Sequence, residues 1–136
     1  MTDTVDGERR SQIMRSVQSK NTGAEWAVRR QIFAMGYRYR LHCKDLPGKP
    51  DIVFSKKRKV IFINGCFWHG HIACPRAKVP QSNRDYWIQK IGRNMHRDRS
   101  NLQTLNDSGW RVLVIWECEL RDAQALKNRI RDFLNG

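Results

Sequence analysis

Residues 50–74 read PDIVFSKKRKVIFINGCFWHGHIAC, and this stretch decides the fold. Two largely apolar runs, residues 51–54 and 60–63, flank the basic segment SKKRK, a pattern typical of a hairpin of antiparallel strands. In such a hairpin the start of one strand lies beside the end of the other. We therefore expect Asp51 to lie near Ile63 and Asn64.

The segments on either side of this hairpin alternate between helical and extended patterns. Upstream, a helix is predicted from Thr22 to a stop at Gly36, and the alternation of apolar and polar side chains in residues 37–42 predicts a half-buried strand. Downstream, residues 83–107 predict a long helix that Gly92 could break, residues 110–116 a buried strand, and residues 123–134 an amphipathic helix. The predicted fold is α/β, a single domain with a mixed four-stranded sheet flanked by helices, in the order helix-strand-strand-strand-helix-strand-helix.

The long helix brings four metal-binding side chains to one edge of that sheet. As a crossover it should make the fourth strand parallel to the third, so that both strands end together. Cys66 and Cys118 follow those ends, and Cys66, His71 and Cys74 form a C-x4-H-x2-C pattern. The four predict a structural tetrahedral zinc site with no ligand position left open. The alternative is that the thiols are small buried side chains and His71 lies on the surface.

Charge and composition point to a nucleic-acid partner. The 136 residues, enough for one domain, include 26 Lys and Arg against 13 Asp and Glu, and the net charge of +13 attracts polyanions. No apolar run is long enough to span a bilayer and no secretory signal is evident, so a cytoplasmic location without membrane partners is expected. In that reducing setting the cysteines favour metal binding or burial over disulfides, and Cys43 has no evident metal-binding partner.

Residues 1–20 differ from the rest of the chain, because basic side chains surround only a few apolar ones. They are interpreted as a basic N-terminal arm or helix lying along DNA, or equally as a frayed terminus, and residues 21–136 as the folded domain. The expected contacts to the DNA backbone are Arg15, Lys20, Lys90 and Arg93.

Asp51 and His69 are the candidate catalytic residues. Nucleases place an acidic metal ligand at the start of such a hairpin, although the second acid and the lysine expected at positions 62 and 64 are here Phe62 and Asn64. His69 could deprotonate a water molecule near neutral pH, or could be structural. The adjacent Phe67 and Trp68 could protrude and wedge between base pairs, or could cover the core and the zinc site.

These motifs resemble one known family. The segments RSQIMRSVQSKNTGAE, LPGKPDIVF, VIFINGCFWHGHIAC, KVP, YWIQKIGRNMHRDR and GWRVLVIWECEL are similar, in that order, to the very short patch repair endonucleases, over residues 9–121. The resemblance implies a diverged PD-(D/E)xK nuclease fold, and thus an endonuclease domain at residues 21–136. It also implies a magnesium-dependent nick 5' of the thymine in T:G mismatches left by deamination of 5-methylcytosine. A monomer acting on double-stranded DNA in the bacterial cytosol, beside the nucleoid, is expected.

The resemblance also assigns individual residues. Asp51 and the backbone carbonyl of Ile63 match the magnesium ligands, and His69 matches the general base. Asp98 matches an acid that could orient His69, and Glu25 matches a helix glutamate at the active site. Beside these, the resemblance supports the zinc ligands named above and assigns as DNA-intercalating residues Phe67, Trp68 and Trp87, although helical periodicity alone would place Trp87 in the core.

Three departures from the family pattern affect the mechanism. Some members have a histidine where this chain has Asn64, and an amide can orient water but cannot take its proton. Some have a threonine in place of Ile63, and the spacing from His71 to Cys74 is one residue longer than in others. The alternatives to a mismatch endonuclease are therefore a catalytically impaired mismatch-binding module and a restriction-type nuclease of the same fold.

Overall fold

The central feature of the fold is a mixed sheet with the strand order β1-β2-β3-β4. The computed structural model describes residues 22–136, so the predicted arm at residues 1–20, with Arg15 and Lys20, lies outside the described residues. The strands are β1 (Arg40–Leu41), β2 (Ile52–Phe54), β3 (Lys59–Asn64) and β4 (Arg111–Trp116). The helices are α1 (Thr22–Ala34), α2 (Arg84–Asp107) and α3 (Ala123–Asn135), with 3-10 helices at Pro75–Ala77 and Glu117–Arg121. This is the predicted order and fold class.

The hairpin of β2 and β3 has the predicted antiparallel pairing, with Ile52 opposite Ile61 and Val53 opposite Val60. Every residue of β2 is buried, as is every residue of β3 except the half-buried Phe62. Both faces of this hairpin are therefore covered, which explains why its sequence is nearly continuous in apolar residues rather than alternating.

Two groups of apolar side chains cover the two faces of the sheet. Ile52, Ile61 and Ile63 belong to the main core, which includes buried residues of α1 and α3. Val53 and Val60 point the other way and pack with Leu105 of α2. Helices thus cover the sheet on both sides, and the side-chain period of two in the strands decides which helix each residue meets.

The crossover helix α2 is continuous, so the break considered at Gly92 is wrong. The helix runs for 24 residues without interruption, and a Cβ atom at Gly92 would meet nothing within 4 Å. A glycine inside a helix costs about 1 kcal/mol relative to alanine, which packing of the buried Ile91 and Leu105 can offset. The helix returns the chain so that β4 pairs parallel to β3, from Lys59 and Arg111 through Asn64 and Trp116, as predicted.

The first strand is shorter than the alternation of residues 37–42 indicated. Only Arg40 and Leu41 pair with β2, opposite Val53 and Ile52. Tyr37 and Tyr39 instead contact the ring of Phe54 edge to face, with centroids 6.4 and 6.3 Å away. The alternation therefore reflects burial of the tyrosine rings, not a full ladder of backbone hydrogen bonds.

Lys59 is a buried lysine that ties the end of α3 to the sheet. Its ammonium group donates to the carbonyl oxygens of Phe133, Leu134 and Gly136, at 2.6, 3.1 and 2.9 Å. Burial lowers the pKa of Lys59, as do the nearby charges of Arg111 and Lys57. Carbonyl groups at a helix end otherwise lack partners, so this contact caps the helix. None of the helices within residues 22–136 has the length and apolar content needed to span a bilayer.

Candidate active site and metal cluster

The carboxyl ends of β3 and β4 position the candidate site. Asn64 and Trp116 are paired at the last step of the parallel ladder, so the loop after β3 and the 3-10 helix after β4 begin side by side. A cavity of about 860 Å³ opens at this edge. Its lining includes six of the residues expected to be catalytic or metal-binding, namely Asp51, Ile63, Asn64, His69, His71 and Asp98.

Asp51 is fixed against the end of β3, as the hairpin predicted. Its Oδ2 accepts a hydrogen bond of 2.7 Å from the backbone N–H of Ile63. The pKa of Asp51 is raised from 3.8 to about 6: burial is the largest cause and the charge of Glu25 adds to it, whereas the Ile63 hydrogen bond and the charges of His42 and His69 act in the opposite direction. The positive charges nearby do not fully compensate the cost of ionising this carboxylate, and a divalent cation would supply further positive charge.

Glu25 joins Asp51 from the first turn of α1. Its side chain is buried, and ligand atoms of Glu25, His42 and Asp51 all lie within 4.8 Å of one another. Carboxylate oxygens are the donors that magnesium prefers, so Asp51 and Glu25 fit such an ion. Sequence reasoning missed His42, which it placed on the polar side of a strand. The strand pairing itself could have found it, because Leu41 opposite Ile52 brings residue 42 to residue 51.

His69 and Asp98 form a pair across the cavity. The Nδ1 atom of His69 lies 2.6 Å from Oδ2 of Asp98, which projects from α2. A proton on Nδ1 would be held by this carboxylate and would leave Nε2 as the basic nitrogen. His69 was a candidate base from the sequence itself, whereas Asp98 was predicted only through the family resemblance, and the structure brings the two into contact.

The four predicted zinc ligands converge. Ligand atoms of Cys66, His71, Cys74 and Cys118 all lie within 4.8 Å of one another. Sγ of Cys118 is 3.4 Å from Nδ1 of His71. Two such ligands on a tetrahedral zinc ion are expected about 3.6 Å apart, given Zn–S near 2.3 Å and Zn–N near 2.05 Å. The geometry and the donor types therefore fit zinc.

Neighbouring groups hold these ligands in place. The His71 ring stacks on Trp116 with centroids 4.2 Å apart and planes 6° from parallel. The Cys66 N–H donates to Oε1 of Glu117 at 3.1 Å, and the His71 N–H to the carbonyl of Cys66 at 2.9 Å. Cys43 lies elsewhere, packed against the apolar cluster beneath α2.

The thiols of the cluster differ in how readily they ionise. Burial raises the pKa of Cys66 to about 12. Burial also acts to raise the pKa of Cys74, but hydrogen bonds from the Arg76 backbone and the neighbouring thiols outweigh it, and the net direction is downward. A metal ion must therefore displace a firmly held proton at Cys66, so binding at this cluster is coupled to proton release.

The predicted intercalating residues form one aromatic cluster. Phe67 lies 5.1 Å from Trp68 and 5.4 Å from Trp87, and the two indole rings are 5.4 Å apart, all in edge-to-face geometry. Trp68 is only 5% exposed, and its carbonyl accepts a hydrogen bond of 2.9 Å from Asn94. Trp68 thus does not protrude, and entry into DNA would require the cluster to open. Its intercalating role stays a prediction.

The expected DNA-backbone contacts that can be placed lie on α2. Lys90 is half-buried and Arg93 exposed, and their spacing of three residues puts them on one side of the helix. Arg15 and Lys20 fall outside the described residues. The first turn of α2 also carries Tyr86, 54% exposed, whose ring lies 5.0 Å from Trp87.

Comparison with known proteins identifies the family. The model of the DNA mismatch endonuclease Vsr family matches residues 2–75. The chain belongs to the Vsr family. Its Vsr-type relatives include the DNA mismatch endonuclease Vsr of Escherichia coli K12, 38% identical over 141 residues that cover 100% of this chain and 90% of that one. The type II nicking enzyme V.XorIIP of Xanthomonas oryzae pv. oryzae is 51% identical over 135 residues, 99% of this chain and 98% of the relative.

A solved structure supports the nuclease fold. The catalytic domain of the homing endonuclease I-Bth0305I superposes with a TM-score of 0.57 at 24% identity, covering 81% of this chain and 91% of that one. A likeness at this identity concerns the fold alone. The Vsr family model and the curated relatives establish the chain as a DNA endonuclease, and its fold is built on a mixed four-stranded sheet.

Proposed function

We propose that this chain nicks one strand of double-stranded DNA on the 5' side of the thymine in T:G mismatches left by deamination of 5-methylcytosine. The observation that carries the proposal is the meeting of Asp51 with the His69–Asp98 pair at one cavity in a Vsr-family chain. The E. coli relative is named a mismatch endonuclease, and other relatives are named nicking enzymes. The proposed setting is the bacterial cytosol, with the enzyme acting as a monomer.

The catalytic part of the proposal divides the work among residues of the cavity. Asp51 and the carbonyl of Ile63 would hold magnesium, with Glu25 beside them, and the bound ion would stabilise charge on the cleaved phosphate. His69 takes the proton of the attacking water, and Asp98 holds the opposite ring nitrogen. Asn64 lines the same cavity and would orient that water.

The zinc cluster would serve the active site structurally. Its ligands Cys66, His71 and Cys74 lie on both sides of His69 in one loop, and Cys118 comes from the strand end next door. A loop with little regular structure is held poorly by its own packing. Zinc at this cluster would therefore fix the position of His69.

DNA recognition in the proposal depends on charge and on aromatic rings. The excess of 13 positive charges favours the phosphate backbone, with Arg15, Lys20, Lys90 and Arg93 as contacts. Phe67, Trp68 and Trp87 would enter the base stack beside the mismatch. A mispaired step costs less to open than a paired one, so rings that wedge between bases select mismatches.

A nicking assay tests the proposal. With protein and magnesium, a T:G duplex is expected to be nicked roughly 100-fold faster than the matched T:A duplex, because opening a paired step costs a few kcal/mol more. The cut should fall 5' of the mispaired thymine, as read on a denaturing gel with each strand labelled in turn. Equal nicking rates on the T:G and T:A duplexes would refute the proposed T:G specificity. Cleavage of both strands at matched sites would favour a restriction-type enzyme, and tight binding without a nick a binding module.

The role of His69 gives a second test. His69→Gln should lower the single-turnover nicking rate by about 10²- to 10⁴-fold, the usual contribution of a general base, while leaving duplex affinity near the wild-type value. Asp98→Asn should cause a smaller loss, because His69 remains but its ring is held less firmly. If His69→Gln nicks within threefold of wild type, the water must be activated by another group.

A further inference from the structure

His42 makes two contacts with the candidate metal site. Its backbone N–H donates to the carbonyl oxygen of Asp51 at 3.1 Å, and its Nε2 lies 3.1 Å from Oε2 of Glu25. Its φ of 49° lies in the left-handed region, which a residue with a Cβ atom adopts rarely and glycine adopts readily. A strained backbone that joins two site residues suggests a function for this side chain.

Glu25 is the site residue that the imidazole of His42 contacts. The side chain of Glu25 is only 7% exposed, and a buried carboxylate requires partners. Arg29, one turn along α1, is 3.6 Å from the same Oε2 atom, so the imidazole makes the closer of these two contacts. His42 approaches from the sheet, whereas Arg29 shares the helix with Glu25. The direction of the carboxylate is therefore set from two sides.

The contact between His42 and Glu25 bears on the second acid that the nuclease motif lacks in this chain. Phe62 and Asn64 occupy the positions on β3 where an acid and a lysine are common in such hairpins, so β3 supplies no second carboxylate. Glu25 reaches Asp51 from α1 instead, with ligand atoms of Glu25, His42 and Asp51 within 4.8 Å of one another. The ion-pair contacts of Glu25 in the described part of the chain come from His42 and Arg29, which both lie outside the hairpin.

We propose that His42 is a positioning residue that holds the Glu25 carboxylate toward Asp51, so that two carboxylates rather than one face a divalent cation. The imidazole acts as a hydrogen-bond donor from Nε2, not as a metal ligand. This inference rests on the proposed function only in assuming that the cation at Asp51 serves DNA cleavage. The distances and the burial of Glu25 do not depend on which DNA is cut.

Binding of Mn²⁺ alone tests the proposal without DNA. Free Mn²⁺ is measured by electron paramagnetic resonance while the purified full chain, loaded with zinc, is titrated. His42→Leu removes the donor and should weaken Mn²⁺ binding about tenfold or more, the usual cost of losing a group that orients a ligand. His42→Gln keeps an N–H donor for Glu25 and should stay within about threefold of wild type. His96→Leu, which removes an exposed histidine of α2, is the matched control and should bind like wild type.

A double-mutant cycle separates positioning from direct ligation. Glu25→Gln should weaken Mn²⁺ binding at least as much as His42→Leu, and the double variant should bind no more weakly than Glu25→Gln alone, because His42 acts through Glu25. The proposal is overturned if the two losses multiply, if His42→Gln is as impaired as His42→Leu, or if the wild type binds no Mn²⁺ at millimolar concentration. Thermal melting checks the fold, and if His42→Leu does not fold, His42→Ala and His42→Gln decide the question.

The same variants distinguish failure of this inference from failure of the mismatch proposal. Wild-type protein that binds Mn²⁺ but cuts T:G and T:A duplexes equally would refute the mismatch proposal and leave the role of His42 standing. Normal mismatch nicking at low magnesium by His42→Leu would refute the role of His42 alone. In the expected case, His42→Leu needs about tenfold more magnesium for half-maximal nicking and approaches the wild-type rate at saturation.

Discussion

Asp51→Asn is expected to abolish nicking while stabilising the magnesium-free protein. The amide oxygen of asparagine can still accept the hydrogen bond from the Ile63 N–H, so the local structure should persist. The negative charge that would hold a divalent cation is lost. Because a bound metal ion contributes several kcal/mol to transition-state stabilisation, the single-turnover rate on a T:G duplex should fall by about 10³-fold or more. A rate within tenfold of wild type would show that Asp51 is not essential for metal binding.

The expected gain in stability of Asp51→Asn should depend on pH. Burial raises the pKa of Asp51 from 3.8 in its ordinary range to about 6 in the folded protein. Below the pKa of the unfolded state, Asp51 is protonated in both the folded and the unfolded protein, so its burial carries no ionisation cost. Between the two values the folded state binds the extra proton, so its stability falls as the pH rises through 6, and the full cost remains above that.

Comparing the two proteins at two pH values measures this cost. At pH 7.5 Asp51→Asn should unfold with a free energy on the order of 2 kcal/mol higher than wild type, and below pH 4 the difference should vanish. Thermal and urea unfolding in magnesium-free buffer give the values. Two results would contradict the assignment of Asp51 as a carboxylate whose ionisation is disfavoured by burial. One is a variant less stable than wild type at pH 7.5, and the other is a stability difference that does not change with pH.

The part of the site that could be predicted from sequence is the part set by strand register. Apolar runs on both sides of SKKRK predict a hairpin of antiparallel strands, and that hairpin places Asp51 at Ile63. A helix long enough to cross the sheet requires a parallel fourth strand, and this brings Cys118 to Cys66. Both inferences depend only on strand pairing and on the handedness of the crossover. They can therefore be made without knowing any side-chain contact.

Contacts that depend on where an element ends could not be predicted. The alternation through residues 37–42 does not reveal that pairing stops at Leu41 and that His42 turns in a left-handed conformation. Adjacent aromatic residues in a loop suggested protruding rings. In the structure, however, the rings of Phe67 and Trp68 pack against each other and against Trp87. Such packing among three rings separated by about twenty residues leaves no periodic signal. The family resemblance, not the spacing, supplied Glu25 and Asp98.

Cys74→Ser is expected to lower bound zinc and to destabilise the fold. Zinc contributes about 10–16 kcal/mol of apparent binding free energy in small zinc domains, so loss of one of four ligands should cost on the order of 3 kcal/mol. Cys43→Ser is the matched control, because Cys43 lies against the apolar cluster beneath α2 and outside the four-ligand group. Metal analysis of purified protein should give one zinc per chain for wild type and Cys43→Ser, and less for Cys74→Ser. Wild-type protein without zinc, or equal melting of the two variants, would refute the zinc site.

Zinc removal should also stop nicking, although zinc takes no part in the proposed chemistry. Phenanthroline withdraws zinc and leaves magnesium, since its nitrogen donors suit transition metals and not a hard cation. The released loop no longer holds His69 opposite Asp51, whereas Asp51 itself is held by the Ile63 N–H in the sheet. Once the phenanthroline and its zinc complex have been removed by desalting, Mn²⁺ binding at Asp51 should therefore be retained while nicking is lost, and added zinc should restore nicking. Loss of both together would mean that the zinc cluster supports the whole edge of the sheet, not the loop alone.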